Sequence, residues 1–188
     1  MKRIYQEILK AGFVVVSICT TGMVHGQDKD PVKAANASNE KKADAKMVDA
    51  DVAEFLVKSA DARMMGGEEG KLATQKGTTA AVRAYGQLMI KDQAMLLKKI
   101  RVLASELKIS LPNAISEDKQ DGKKDLMEKT GKDFDEKFKD MMKIDHERDV
   151  KLFKKATEYG EPRVAAFAVK YLPLIQSHLD KVNKLPVK

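Results

Sequence analysis

The chain has a single cysteine, Cys19, and it lies in a segment that we expect to be removed on export. The mature protein then has no thiol, which excludes disulfides and cysteine chemistry whatever the redox state outside the cytoplasm. Glycine and proline are also scarce, with 11 and 5 residues among 188, and tryptophan is absent. Lysine, glutamate, alanine, leucine and methionine are abundant instead, and these are the residues of long helices.

The patterns of several large functional classes are missing. The net charge of +7 comes from lysines mixed with aspartate and glutamate. There is no arginine-rich stripe with interleaved aromatic residues, so nucleic-acid binding is not expected. The absence of a Ser-His-Asp arrangement and of a glycine-rich phosphate loop argues against hydrolases and nucleotide-binding proteins. We therefore favour a protein that is not an enzyme.

Residues 1–26 predict a secretory signal peptide. A basic start with Lys2 and Arg3 precedes an apolar run over 13–19, and Gly26 offers a small residue at a cleavage point. The run is too short to cross a bilayer, which takes about 20 residues, and an uncleaved signal anchor is the alternative. Lipidation of the lone cysteine is disfavoured because a bulky isoleucine precedes it. We expect a periplasmic or outer-membrane-associated protein with no transmembrane helix in the mature chain.

Residues 27–48 are polar, rich in Lys, Asp, Asn and Ala, and lack an apolar period, so we interpret them as a disordered tether. A single helical domain is expected over residues 49–186. Within it, apolar residues recur with a helical period in four segments. These segments predict helices at about 51–76, 78–107, 133–159 and from 162 onward.

The connections between these helices predict their arrangement. The first and third connections are short, with Gly77 and Gly160 as helix ends, so each pair of helices forms an antiparallel hairpin. Residues 109–122 form the longest break and predict a surface crossover, with a short helical turn around 125–128. Neither hairpin can bury its own apolar stripe. We therefore predict an all-α fold, a four-helix bundle of two helical hairpins joined by this longer crossover.

Polar residues interrupt the apolar stripes at four places. Carboxylates and imidazoles that face one another inside a helical bundle are how ferritin-like proteins bind metal. The di-iron signature Glu-x-x-His is absent at these places, and Gln93 stands where a ligand is wanted. Two imidazoles with one or two carboxylates suit iron, zinc or manganese. The candidate metal ligands are Glu68, Glu69, Asp92, His146 and His178.

Two simpler interpretations of these polar and sulfur-containing residues compete with a metal site. The polar side chains satisfy one another as a buried hydrogen-bond network that fixes helix register, and we favour this interpretation because Gln93 is a good network member and a poor ligand. Methionine pairs such as Met64-Met65 and Met141-Met142 offer thioethers for Cu(I). Methionine at helical spacing is far more often flexible core filling.

The chain also resembles a known family. The stretches that carry the resemblance are 68–73, 82–92, 131–135, 145–147, 172–173 and 178–179. They are similar to the ferritin-like, mostly bacterial and secreted family of unknown function whose members are often labelled outer membrane proteins. The resemblance covers residues 50–185 and implies a ferritin-like bundle with no established activity. In the second of the four predicted helices, members usually carry Asp-His where this chain has Asp92-Gln93.

Two hypotheses about function follow. The first is a non-enzymatic exported bundle without a cofactor, with a structural, stress-related or envelope-binding role. Its partner is an envelope component or a second copy of the chain. The second is a degenerate ferritin-like protein that binds iron, zinc or manganese. It requires Glu68 or Glu69 to converge in one layer with Asp92, His146 and His178.

Overall fold

A computed structural model describes residues 30–187, so the expected signal peptide at 1–26 lies outside the described residues. This part of the chain is all-helical, as predicted, and contains no strand. Its helices are α1 (Pro31–Asp44), α2 (Ala50–Lys76), α3 (Ala80–Glu106), α4 (Glu117–Glu128), α5 (Gly131–Ala156) and α6 (Pro162–Asn183). None of these helices combines the length and the hydrophobicity that a bilayer span requires.

Local chemistry explains where the long helices begin. Asp49 caps α2 and Thr79 caps α3, since their side chains accept the N–H groups of Val52 and Val82 at 2.9 and 3.1 Å. Helix α6 begins at Pro162, in the first turn, where a missing N–H leaves no hydrogen bond unmade. Short turns place α2 along α3 and α5 along α6, and α2 also packs against α5. The two hairpins stand side by side.

Residues 30–187 contain two helices more than the four predicted, and α1 lies in the stretch that we interpret from sequence as a disordered tether. Polar contacts hold it in place. Asp30 caps α1 with one carboxylate oxygen, while the other accepts the N–H of Glu117 at the start of α4 at 3.0 Å. The Asn39 amide exchanges two 2.8 Å hydrogen bonds with the backbone of Ser110. Ala35 is the one apolar residue of α1 that is buried. The sequence of this helix therefore has no apolar period from which it could be predicted.

Two apolar clusters fill the space between the long helices. In the first apolar cluster, the ring of Phe55 lies edge-on at 5.2 Å from Phe153 and at 6.4 Å from Phe167, between ring centroids. In the second apolar cluster, Phe134 and Phe138 stack at 6.1 Å. Phe134 and Phe153 are both fully buried.

Candidate metal site between two apolar clusters

A layer of polar side chains separates the two apolar clusters. It consists of Glu69 on α2, Gln93 on α3, His146 on α5 and His178 on α6, and each of these residues is at most 2% exposed. Along every long helix, the layer residue falls between members of the first cluster and members of the second. The four residues are buried because each takes the place of an apolar residue in its helix stripe. We call this group the polar layer.

Hydrogen bonds fix the protons on the two histidines. The Nδ1 atom of His146 lies 2.6 Å from the backbone carbonyl oxygen of Met142. A carbonyl only accepts, so Nδ1 carries the proton and Nε2 keeps a lone pair. The Nε2 atom of His178 donates to the Asp92 carboxylate at 2.9 Å, which leaves the lone pair on Nδ1. Neither of the two remaining nitrogens has a hydrogen-bond partner in the described part of the chain.

Burial keeps both imidazoles neutral. Desolvation lowers the pKa of His146 to about 3, and the nearby charge of Arg63 acts in the same direction. Desolvation also lowers the pKa of His178, although its hydrogen bond to Asp92 opposes this shift. A neutral imidazole with a lone pair is the form that coordinates metal, and its N–H bound to a carboxylate or carbonyl is the usual orientation of a metal-binding histidine. The two rings lie 5.4 Å apart between centroids, edge to face.

Glu69 brings a carboxyl group without a partner into the same layer. The residue is fully buried, and neither carboxyl oxygen accepts a hydrogen bond from residues 30–187. Burial raises the pKa of Glu69 well above its ordinary value, and the negative charge of Asp145 adds to the effect. Burial therefore favours the protonated form of this carboxyl group, whereas a nearby cation would favour the ionised form.

Tyr85 lies beside the polar layer, next to both histidines. Burial raises the pKa of Tyr85, and the charge of Glu69 raises it further, so the two groups are electrostatic neighbours. The Tyr85 hydroxyl donates to the backbone carbonyl of His178 at 3.2 Å, and its ring centroid lies 6.5 Å from that of His146. The helical period places Tyr85 on the buried face of α3 with apolar residues such as Val82 and Met89, and it does not reveal this position beside the polar layer.

The polar layer has an excess of lone pairs. Five of its atoms are buried without a partner: both carboxyl oxygens of Glu69, Oε1 of Gln93, Nε2 of His146 and Nδ1 of His178. When Glu69 is ionised, all five are acceptors. Of the hydrogen-bond network predicted among the polar residues in the apolar stripes, only the bond between His178 and Asp92 is present in the described residues. Buried acceptors without donors are the arrangement that a cation satisfies.

The predicted ligands do not all face the layer. The Glu68 carboxylate lies near the surface, where Lys71 and Lys123 each bind it at 2.7 Å. The Asp92 carboxylate accepts a hydrogen bond from His178, which is itself one of the predicted ligands. As the side chains stand, no three His, Cys, Asp or Glu groups in residues 30–187 are close enough to hold one ion. A metal would have to draw Glu69 and the two histidines together.

A buried ion pair that we did not predict from sequence lies beside the polar layer. Arg63 and Asp149 are 1% and 5% exposed, and the guanidinium is paired with the carboxylate. The sequence does indicate that Asp149 is buried, because it lies in phase with His146 and Phe153 on one face of α5. An acidic residue in an apolar stripe requires a buried partner, which Arg63 on α2 provides.

Comparison with known proteins places the chain in a family. Residues 36–185 match the family described as a domain of unknown function, DUF4142, and the chain belongs to that family. The match includes the whole polar layer and the ion pair of Arg63 with Asp149. No curated protein and no solved structure matches the chain.

Proposed function

We propose that this member of the DUF4142 family binds a divalent transition-metal ion in the polar layer, with Glu69, His146 and His178 as ligands. The observation that supports this function is the set of unpartnered lone pairs, one on each histidine and two on the Glu69 carboxylate, buried between the apolar clusters. Two imidazoles and one carboxylate are the protein ligands of many zinc enzymes and of the facial triad that binds Fe(II). Zinc, iron and manganese are the candidate ions.

The surroundings of the histidines favour this proposal over a purely structural layer. Asp92 and the Met142 carbonyl hold the two imidazole N–H groups, so each ring is oriented and its other nitrogen is bare. Such outer partners typically raise metal affinity, and losing one costs about 10–100-fold. With three protein ligands, a bound ion keeps open positions and would act there as a Lewis acid or, for iron and manganese, as a redox centre.

We also propose that the four long helices form a ferritin-like four-helix bundle. In support, α2 packs on α3 and α5, while α6 packs on α5 and α3. In such a bundle, ligands project inward from facing helices, as Glu69 and the two histidines do from α2, α5 and α6. Helices α1 and α4 contact α2 from outside this set and are additions to it.

Export to the periplasm or outer membrane is part of the proposal, on the basis of the basic start and apolar run within residues 1–26. The mass of the chain recovered from the cell envelope tests it. A mature protein that begins near Gln27 is expected, and a full-length chain would mean that the signal is retained as an anchor.

Calorimetric titration of full-length protein, purified without chelator or affinity tag, tests the metal function. Wild type should bind one equivalent of zinc, iron or manganese per chain, and His146→Ala and Glu69→Gln should lose this binding. Glu68→Gln is the matched control, because it removes the neighbouring carboxylate that two surface lysines hold. If wild type binds none of the three ions, a structural or envelope-binding role without metal is the surviving account.

A further inference from the structure

Helix α4 lies across α2 and α5, two of the helices that carry residues of the polar layer. On α2, its Lys123 binds the carboxylate of Glu68, the residue just before Glu69, at 2.7 Å. On α5, a Cβ added at Gly122 would lie 3.5 Å from Cε of Met141. Helix α4 therefore bridges the two helices at the level of Glu69.

The charges around Glu69 also place α4 on its solvent side. Burial raises the pKa of Glu69 most and the charge of Asp145 adds to this shift, whereas the charge of Lys119 on α4 opposes it. On the inner side of the layer, burial raises the pKa of Tyr85, and the charge of Glu69 raises it further. Glu69 thus lies between a buried tyrosine and α4, and it has no exposed surface.

Little apolar surface holds α4 in this place. Only Leu126 of its 12 residues is buried, whereas α5 buries eight of 26. Gly122 lies in the middle of the helix, where glycine weakens helix formation. The hydroxyl of Ser116, at the N-terminal cap position, bonds the Asp61 carboxylate at 3.2 Å instead of an N–H group of the helix. A helix this short is marginal without contacts to its neighbours.

Exposed ion pairs supply part of those contacts. Lys123 pairs with Glu68 of α2, and Asp125 pairs with Lys137 of α5. All four side chains are between 31% and 41% exposed. Ion pairs of this kind contribute little to stability and are screened by salt. Detaching α4 should therefore require less free energy than unfolding the bundle, and still less at high salt.

We infer that α4 is a lid over the polar layer: it detaches while the long helices stay folded, and it thereby opens the Glu69 side of the layer to solvent and small solutes. Its apolar anchor is Leu126, which packs in the second apolar cluster. The inference goes beyond the proposed function, because it states how any solute reaches the layer and holds whether or not an ion binds there.

Thiol labelling of the metal-free full chain measures the opening. Cys19→Ser removes the native cysteine, and Glu69→Cys then places a thiol beneath α4. The matched control is Gln93→Cys, at a 2% exposed position of the same layer on α3. A small disulfide reagent should label the Glu69→Cys thiol at least about tenfold faster, because that reaction needs only α4 to detach. Salt at about 1 M should speed it more than the control reaction.

Substitutions within α4 should change the labelling rate of Glu69→Cys in both directions. Leu126→Ala removes the apolar anchor and should speed labelling about tenfold or more. Its control is Met127→Ala, at the adjacent position, which is 50% exposed and should change the rate by no more than about twofold. Gly122→Ala should slow labelling about fivefold, because alanine favours the helix and its Cβ would make an ordinary contact with Met141.

Equal labelling rates for the Glu69→Cys and Gln93→Cys thiols would overturn the lid, as would a rate that Leu126→Ala leaves unchanged. Should either cysteine variant fail to fold, hydrogen exchange of the unsubstituted chain decides the question. The amides of α4 should exchange faster than those of α5, and α4 amides as slow as those of α5 would refute the inference. None of these measurements uses metal, so failure of the lid and failure of the proposed metal function are distinguishable.

Discussion

The first apolar cluster and the polar layer lie next to each other on the same four helices, yet they are built differently. In the cluster, aromatic rings such as Phe55 and Phe153 meet edge to face and are fully buried. In the layer, five buried polar atoms have no partner among the described residues. Burial of the first kind stabilises the fold, whereas each unpartnered group costs about 1–3 kcal/mol. Stability and ligand binding should therefore respond to different substitutions.

The largest loss of stability should come from the apolar clusters. Phe153→Ala and Phe134→Ala each leave a cavity in a fully buried site, so the free energy of unfolding should fall by about 3–5 kcal/mol. Urea denaturation of the metal-free protein measures this. Metal affinity of the folded protein should change little, because neither ring belongs to the polar layer. A loss below about 1 kcal/mol at both sites would mean that these rings are not core residues.

Breaking the ion pair beside the layer should be nearly as costly. Asp149→Leu leaves the Arg63 guanidinium buried and unpaired, which should destabilise the protein by about 3 kcal/mol. Replacing both partners, in Arg63→Met/Asp149→Leu, should restore most of the stability because the double variant buries no charge. A double-mutant cycle by urea denaturation measures the interaction free energy between Arg63 and Asp149. If the double variant is as unstable as Asp149→Leu, the ion pair stabilises the fold by more than the neutralisation of two buried charges.

Removing the unpartnered carboxyl group of Glu69 should stabilise the metal-free protein, in contrast to the two preceding substitutions. Glu69→Met is expected to raise the free energy of unfolding of the metal-free protein by about 1–2 kcal/mol, since it replaces an unsatisfied buried group with an apolar one. The same substitution should abolish metal binding. Thermal melts with and without Zn²⁺ measure both effects. If the variant is less stable than metal-free wild type, the buried Glu69 carboxyl does not destabilise the fold.

The smallest effect is a pH dependence from His146. Its pKa is lowered to about 3 in the folded protein, compared with an ordinary value near 6.5, so below pH 6.5 the unfolded state binds a proton that the native state does not. The His146 contribution to stability is present above pH 6.5 and is lost as the pH falls. Between pH 7 and 5.5 this loss should reach about 1 kcal/mol in the metal-free protein.

The matching control is His146→Leu, which should lack this component. Glu69 acts in the opposite direction, because burial raises its pKa and its contribution declines as the pH rises above its ordinary value. The difference between wild type and His146→Leu at each pH cancels the Glu69 effect. Parallel pH profiles for the two proteins would mean that folding does not change the pKa of His146.

The long helices and most of the polar layer could be predicted from sequence because they depend on local periodicity. Glu69, His146 and His178 each replace an apolar residue in a stripe, and that pattern is visible without coordinates. The choice between Glu68 and Glu69 depends on phase, since adjacent residues of a helix point about 100° apart. Met65 and Ala73, four residues away on either side, are both buried and favour Glu69.

Contacts between distant segments could not be predicted in this way. Helix α1 is held by the bonds of Asn39 to Ser110, which lies 71 residues away, so no local pattern marks it as ordered. The pairing of Arg63 with Asp149 depends on how α2 packs against α5. Periodicity identifies the buried face of a helix and leaves the identity of its neighbour open.

Determining the position of a bound ion tests the central claim most directly. X-ray absorption, or the anomalous signal from crystals of zinc- or manganese-loaded protein, reports the first coordination shell. The account predicts one ion inside the protein, with two imidazole nitrogens from His146 and His178 and at least one Glu69 oxygen at about 2.0–2.2 Å for zinc. A first shell without imidazole, or an ion held only by surface carboxylates such as Glu68, would contradict it.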